Sequence, residues 1–338
     1  MDRSAADCLA LFDASIEGRL SEGWASGCIL QRTKTVVAGP MVYVECYPIW
    51  DTKTALAARR ELRKEAHAKA QRKLNQKNRE KRLIRLINGN FGAGDLMITL
   101  EYPWGKNPQD DEQAKRDIVN YLKRVARLRK KRGLPAMRYI YVIEVTSSKK
   151  YGVRYHHHVI MSGDGLSRDE AEEKWTKTHG GYCNTRRAQP SEKHLTGWAC
   201  YMMSDKKERT QEKESKNPQQ KAMRRSWNAS KNLIDPMERA TVADKKVSVR
   251  KAGRIAEATQ ENAKEIFKKL YPDCELLEMS VKTSRWTTGV YIAVELRRTG
   301  RKDNGKDLHG AGCAGRAAGK RGAGAAIPLG RDAGGRVP

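Results

Sequence analysis

Residues 138–145 (RYIYVIEV) and 154–161 (RYHHHVIM) are two runs of strand-forming residues joined by a polar stretch that includes KKYG. Parallel neighbours need a crossover of roughly a dozen residues or more, and this shorter connection suits antiparallel pairing of the two runs. A third run, Leu96–Tyr102, follows the turn glycines Gly92 and Gly94 and is closed by Pro103. Between them DDEQAKRDIVNYLKRVARLRKKRGLP sets Ile118, Tyr121, Leu122, Val125 and Leu128 at helical spacing, acidic at its start, basic at its end, and stopped by Gly133 and Pro135. Antiparallel strands interleaved with amphipathic helices predict an α+β fold, an antiparallel β-sheet with its flanking helices on one face.

The remaining chain divides by composition. Residues 1–54 hold TVVAGPMVYVECYPI, two short strands around Pro40, and suggest no function. Residues 55–90 are rich in Ala, Leu, Lys, Arg and Gln and predict a basic helix, whose charged face reads as a clamp on phosphates rather than a merely solvated surface. Residues 91–210 contain the strands and helices above. Ser167 and Glu170 there form a capping box for a short helix, GYCNTRRA is strand-like, and EKHLTGWACYMMSDKK has helical spacing. Residues 211–298 form an accessory region with a polar start, the loop RRSWNASKNLIDP, the helix EATQENAKEIFKKLYP and a closing strand pair. From residue 299 onward Gly, Ala, Lys and Arg dominate, and so little apolar surface predicts a disordered basic tail.

Sixty-seven Lys and Arg against 40 Asp and Glu leave a formal charge of +27, which points to a polyanionic partner, nucleic acid first. No apolar run approaches the roughly 18 residues that would span a bilayer, and MDRSAADCLALF is too short an apolar stretch for an export signal. Seven scattered cysteines with no C-x-x-C pair predict reduced thiols rather than a disulfide framework or a zinc ribbon.

The chemistry concentrates in the histidine run. Side chains alternate across a strand, so His156 and His158 share a face and His157 takes the other. Two imidazoles roughly 7 Å apart suit one divalent ion; the alternative is a polar strand with exposed, neutral histidines. Glu144 is the one carboxylate in YIYVIEVT, and a buried carboxylate needs a cation. Antiparallel pairing would bring it to the face of His156 and His158, giving an open rather than a closed ligand set. Such a set in a strongly basic chain suggests phosphodiester chemistry and requires a nucleophile. Tyr201 is the candidate by chain order, and its alternative is a core aromatic in the stripe of Leu195 and Trp198.

The order of these pieces, NGNFGAGDLMITLEYP, IEVT, YHHHVIMSG, GWACYMM, RRSWNASKNLIDP and GVYIAVELRR, resembles the HUH endonucleases, specifically the replication-initiator-like proteins of rolling-circle phages and plasmids, over about residues 55–298. The resemblance implies an HUH nuclease fold over 91–210, with a Mg²⁺ or Mn²⁺ ion held by His156, His158 and Glu144. It implies Tyr201 as the nucleophile that leaves a 5′-phosphotyrosine and a free 3′-hydroxyl, the primer of rolling-circle replication. Single-stranded DNA at a replication origin is the implied substrate and a host replication helicase or polymerase the implied partner, with no membrane, in the cytoplasm of a bacterial host. DNA contacts are expected from Lys206, Lys207, Arg186, Arg187, Arg224, Arg225 and the RLRKKRG helix end, while Trp227 either stacks on a base or anchors its loop. Two departures stand out: Ser204 occupies a position often held by lysine, and His157 one that is usually bulky and apolar. The rival readings are a non-catalytic nucleic-acid-binding protein and an HUH transposase or relaxase.

Overall fold

The computed structural model describes residues 28–50, 67–148, 152–204, 227–244, 246–257, 260–283 and 290–299. Within them lie six helices and ten strands, the strands forming two five-stranded antiparallel sheets, so the α+β expectation holds. The expected tail lies outside the described residues apart from Thr299, as do residues 1–27 and the start of the basic helix.

The first sheet is built from segments far apart in the chain. Strands β1 (Cys28–Ala38) and β2 (Met41–Trp50) form the hairpin foreseen around Pro40. Gly39 turns it at φ +60°, and a Cβ there would lie 2.3 Å from the Asn88 carbonyl oxygen, so the turn and the close approach both demand glycine. Strands β8 (Thr241–Ala243), β9 (Cys274–Thr283) and β10 (Val290–Arg298) complete the order β8-β1-β2-β10-β9. The register of β10 on β2 puts Val42, Val44 and Cys46 beside Leu296, Val294 and Ile292. This apolar face is covered by Ala252 and Ile255 of helix α5 (Val249–Glu257) and Phe267 of α6 (Gln260–Leu270).

The second sheet has the order β6-β3-β5-β4-β7, from β3 (Leu96–Glu101), β4 (Tyr139–Ser148), β5 (Gly152–Met161), β6 (Cys183–Arg187) and β7 (Asn228–Ala229). Helices lie on both of its faces, not on one. On one side, Ile118, Tyr121, Leu122 and Val125 of α2 (Asp111–Lys131) and Ala171 and Trp175 of α3 (Arg168–His179) pack on Leu96, Ile98, Leu100 and Val159. On the other, Leu83, Leu86 and Ile87 of α1 (His67–Asn90) and Ala199, Met202 and Met203 of α4 (Thr196–Ser204) pack on Ile140, Val142 and Ile160. A nearly unbroken apolar run such as Tyr139–Val145 is the mark of a strand covered twice.

Helix α1 is the element shared by the two sheets. Its Ile84 also packs on the Val36, Met41 and Tyr43 face of the first sheet. Lys81 and Arg85 reach Glu45 on β2 at 2.8 and 3.3 Å, and Arg82 reaches Asp235 at 2.8 Å. Three of its cations are therefore committed inside the molecule, and this half of the helix is an internal strut rather than the phosphate clamp its composition suggested.

Candidate active site

Register assembles one row of polar side chains in the second sheet. Glu144 pairs with His156 and Val142 with His158 across β4 and β5, while Glu101 pairs with His156 and Thr99 with His158 across β3 and β5. Directly opposed residues share a face, so Thr99, Glu101, Glu144, His156 and His158 all project toward the α1 and α4 side. His157 projects the other way.

Within this row the contacts are specific. His158 Nε2 lies 2.7 Å from Glu144 Oε2, with both side chains buried, and Thr99 Oγ1 lies 3.3 Å from His158 Nδ1. An ionised carboxylate only accepts, so His158 donates from Nε2 and its Nδ1 accepts from the threonine hydroxyl. His156 Nδ1 stands 3.7 Å from Glu101 Oε1. Burial lowers the His156 pKa, against the opposing pull of Glu101 and Glu144, which keeps its imidazole neutral and its lone pair available. Glu101 escaped the sequence reading because its partner His156 lies far along the chain and nothing local signals that pairing.

His157 belongs to the opposite core. It is fully buried, 2.8 Å from the Tyr102 hydroxyl, and packs edge-on against Trp175. Burial, reinforced by the neighbouring His158, His179 and His156, pushes its pKa down to about 3. The Tyr102 hydroxyl donates to Asp117, so His157 Nε2–H donates to Tyr102.

Tyr201 stands beside the row. Its ring centroid is 5.0 Å from that of His158 and 5.1 Å from that of Trp198, and it is 47% exposed, whereas Leu195, Ala199, Met202 and Met203 form the buried stripe of its segment. The core-aromatic alternative for Tyr201 therefore does not describe it. Helix α4 is held by Asn88 at the end of α1, whose Oδ1 accepts from Leu195 N at 3.0 Å and whose Nδ2 donates to Thr196 Oγ1 at 2.9 Å and to Tyr43 Oη at 2.7 Å. Of the competing tyrosines, Tyr155 is buried on the far face with its hydroxyl on Asp111.

The expected DNA contacts divide. Arg186 is exposed on β6, on the face shared with Met97 and the histidine row. Arg187 donates to the Gly94, Gly163 and Leu166 carbonyls, and Arg129 of the RLRKKRG end is 2% exposed and bonded to the Ser162 and Asp164 carbonyls. Both guanidiniums tie loops together. Trp227 is partly buried against the α1 and α4 core, with Arg82 6.0 Å from its ring, the arrangement of a loop anchor. Lys206, Lys207, Arg224 and Arg225 lie outside the described residues.

Among the described residues no three His, Cys, Asp or Glu side chains are gathered closely enough, as they stand, to hold a metal ion. The donor set nevertheless fits such an ion in kind. Two imidazoles and a carboxylate share one face, and Thr99 secures the second nitrogen of His158, as an outer partner does for a ligating histidine. None of the described helices is long and apolar enough to cross a membrane.

Comparison with known proteins adds one finding. No curated protein and no solved structure matches the chain. Residues 95–233 match the family model of the replication-associated protein ORF2, a span that holds Glu101, Glu144, the three histidines and Tyr201 and leaves out the first sheet and α1. The match supports a replication-initiator-like protein with a role in DNA replication.

Proposed function

We propose that the protein nicks and rejoins single-stranded DNA at a replication origin through a 5′-phosphotyrosine on Tyr201, in the manner of the HUH initiators of rolling-circle replication. The observation that carries the reading is the Tyr201 ring, exposed and 5.0 Å from the His158 ring, above a face that holds Glu144 and His156. The family match to replication-associated proteins and the charge of +27 support it.

In the proposed step the Tyr201 oxygen bonds to phosphorus as the bond to the 3′ oxygen breaks. The tyrosine proton leaves to solvent and the 3′ oxygen takes one up. A free tyrosine is ionised only about one part in a thousand at neutral pH, so the attack needs assistance. His156, His158 and Glu144 would hold a Mg²⁺ or Mn²⁺ ion, which when bound supplies Lewis-acid polarisation of the scissile phosphate. The chain's own part is positional: Glu144 and Thr99 fix the His158 ring, and Trp198 and His158 flank the Tyr201 ring. The covalent link conserves the bond energy, so the reaction reverses to rejoin strands, and the free 3′ end recruits the host replication machinery.

The test is incubation of the full chain with single-stranded DNA from its own replicon and Mn²⁺ or Mg²⁺. A protein–DNA adduct that survives denaturation and maps to the Tyr201 peptide is expected. Binding with no adduct under any divalent ion would instead favour a non-catalytic binding protein.

A further inference from the structure

Among the described aromatic residues, Trp104, Tyr182 and Tyr201 are the exposed ones, at 66%, 62% and 47%, and all three lie at the same end of the second sheet. Tyr201 has a place in the chemistry proposed above; Trp104 and Tyr182 have none. The Tyr182 carbonyl accepts from Glu101 N at 2.9 Å, which extends the β3–β6 ladder by one residue and puts Tyr182 on the face of Glu101 and His156. Trp104 follows the end of β3 by three residues. Arg154, two residues before His156 on the same face of β5, has its guanidinium carbon 5.3 Å from the Trp104 ring centroid and donates to the Tyr102 carbonyl at 3.1 Å.

An indole that exposes two thirds of its surface beside a guanidinium needs a reason, because water gains nothing from it and a solvated polar side chain would serve a turn as well. A planar π-face with a cation at its side is complementary to an unpaired nucleobase and the phosphate attached to it. The position agrees. Arg154 lies one strand repeat, roughly 7 Å, from His156, within reach of a nucleotide next to one held at the histidine row. A duplex keeps its bases stacked on each other, so this arrangement suits a single strand.

We propose that Trp104, braced by Arg154, is a stacking platform for an unpaired base flanking the nucleotide at the histidine row, with Tyr182 as the second aromatic of the same track. The proposal rests on the reading of this face as a single-strand site, and the experiment separates the two.

Binding of the full chain to a labelled mixed-sequence single-stranded oligonucleotide is measured in chelator, where no cleavage occurs, beside a duplex of the same sequence. Trp104→Ala is expected to weaken single-strand binding about tenfold, with duplex binding unchanged and Trp104→Phe retaining most of the affinity. An abasic residue stepped along the strand should weaken wild type by a similar factor at one position and have no further effect on Trp104→Ala. Unchanged single-strand affinity in Trp104→Ala, equal losses on single strand and duplex, or an abasic effect that persists in the variant would each overturn the platform. A wild type that binds no single strand overturns both the platform and the nicking reading, whereas the expected losses without any covalent adduct overturn nicking alone. Trp104 is exposed and its removal leaves the core intact, and the Phe variant controls for local misfolding.

Discussion

The Tyr102 hydroxyl and Nε2 of His157 stand 2.8 Å apart inside the core that α2 and α3 close over the second sheet. The middle histidine of the run is thus a packing residue that pins β5 to the end of β3, while its two neighbours face the opposite way. His157→Ala should lower stability by on the order of 3 kcal/mol, as other large-to-small core changes do. Adduct formation per folded molecule should persist at low temperature. Urea titration together with the adduct assay checks this, and an adduct lost while stability is unchanged would move His157 into the site.

Glu144→Gln, His156→Ala and His158→Ala are expected to abolish the adduct while single-strand binding in chelator stays within about twofold, because phosphate contacts supply most of the affinity. Glu101→Gln, which keeps the shape of the row, is expected to reduce the rate without abolishing it. Full activity in Glu144→Gln would remove that carboxylate from the ligand set.

Asn88→Ala removes the bonds that fix the start of α4 to α1 and β2. We expect a loss of roughly 1 to 3 kcal/mol from the buried groups left unpaired. We also expect an adduct rate that falls more than DNA affinity does, because Tyr201 rides on that helix. Equal effects on rate and affinity would show that Asn88 acts only through global stability.

Glu45 gives a signed pH dependence. Burial opposes its charge, but Lys81 and Arg85 outweigh burial and hold its pKa at about 2, below its ordinary 4.5. A lowered carboxylate contributes stability that is complete above the unfolded value and lost as pH falls from about 4.5 toward 2. The slope in that window is about 1.4 kcal/mol per pH unit. Chemical denaturation at stepped pH should show Glu45→Gln lacking that slope, and parallel profiles for variant and wild type would refute the assignment.

Arg186 and Arg187 are neighbours with different work. Arg186→Ala should weaken DNA binding and reduce its salt slope by about one, the signature of one phosphate contact. Arg187→Ala should instead lower the melting temperature, because three carbonyls lose their donor. Matching salt slopes for the two variants would contradict the division.

Much of this was legible in local pattern. Strand alternation alone separates His157 from His156 and His158, and the short 146–153 connection favours the hairpin that sets Glu144 opposite His156. What escaped was long-range. The pairing of Glu101 with His156 has no local signal, and composition could not reveal that Lys81, Arg82, Arg129 and Arg187 spend their charge inside the fold. Helical spacing placed Tyr201 in a stripe with Leu195 and Trp198, yet only the tilt of α4 on the sheet decides that its ring is exposed. Helix α5 and strand β8 went unread because their sequences are short and strongly charged or polar.

The pairing of Cys46 with Ile292 joins the two ends of the described chain in one sheet. Such a sheet obeys the order of synthesis: β1 and β2 emerge first, and β2 waits for its second neighbour until β10 has left the ribosome. Meanwhile β3 to β6 and α1 to α4 are all present by Ser204 and have mostly short-range contacts to make. Any chain cut short before β10 therefore keeps the candidate site but leaves β2 with an open edge, an invitation to pair with another molecule.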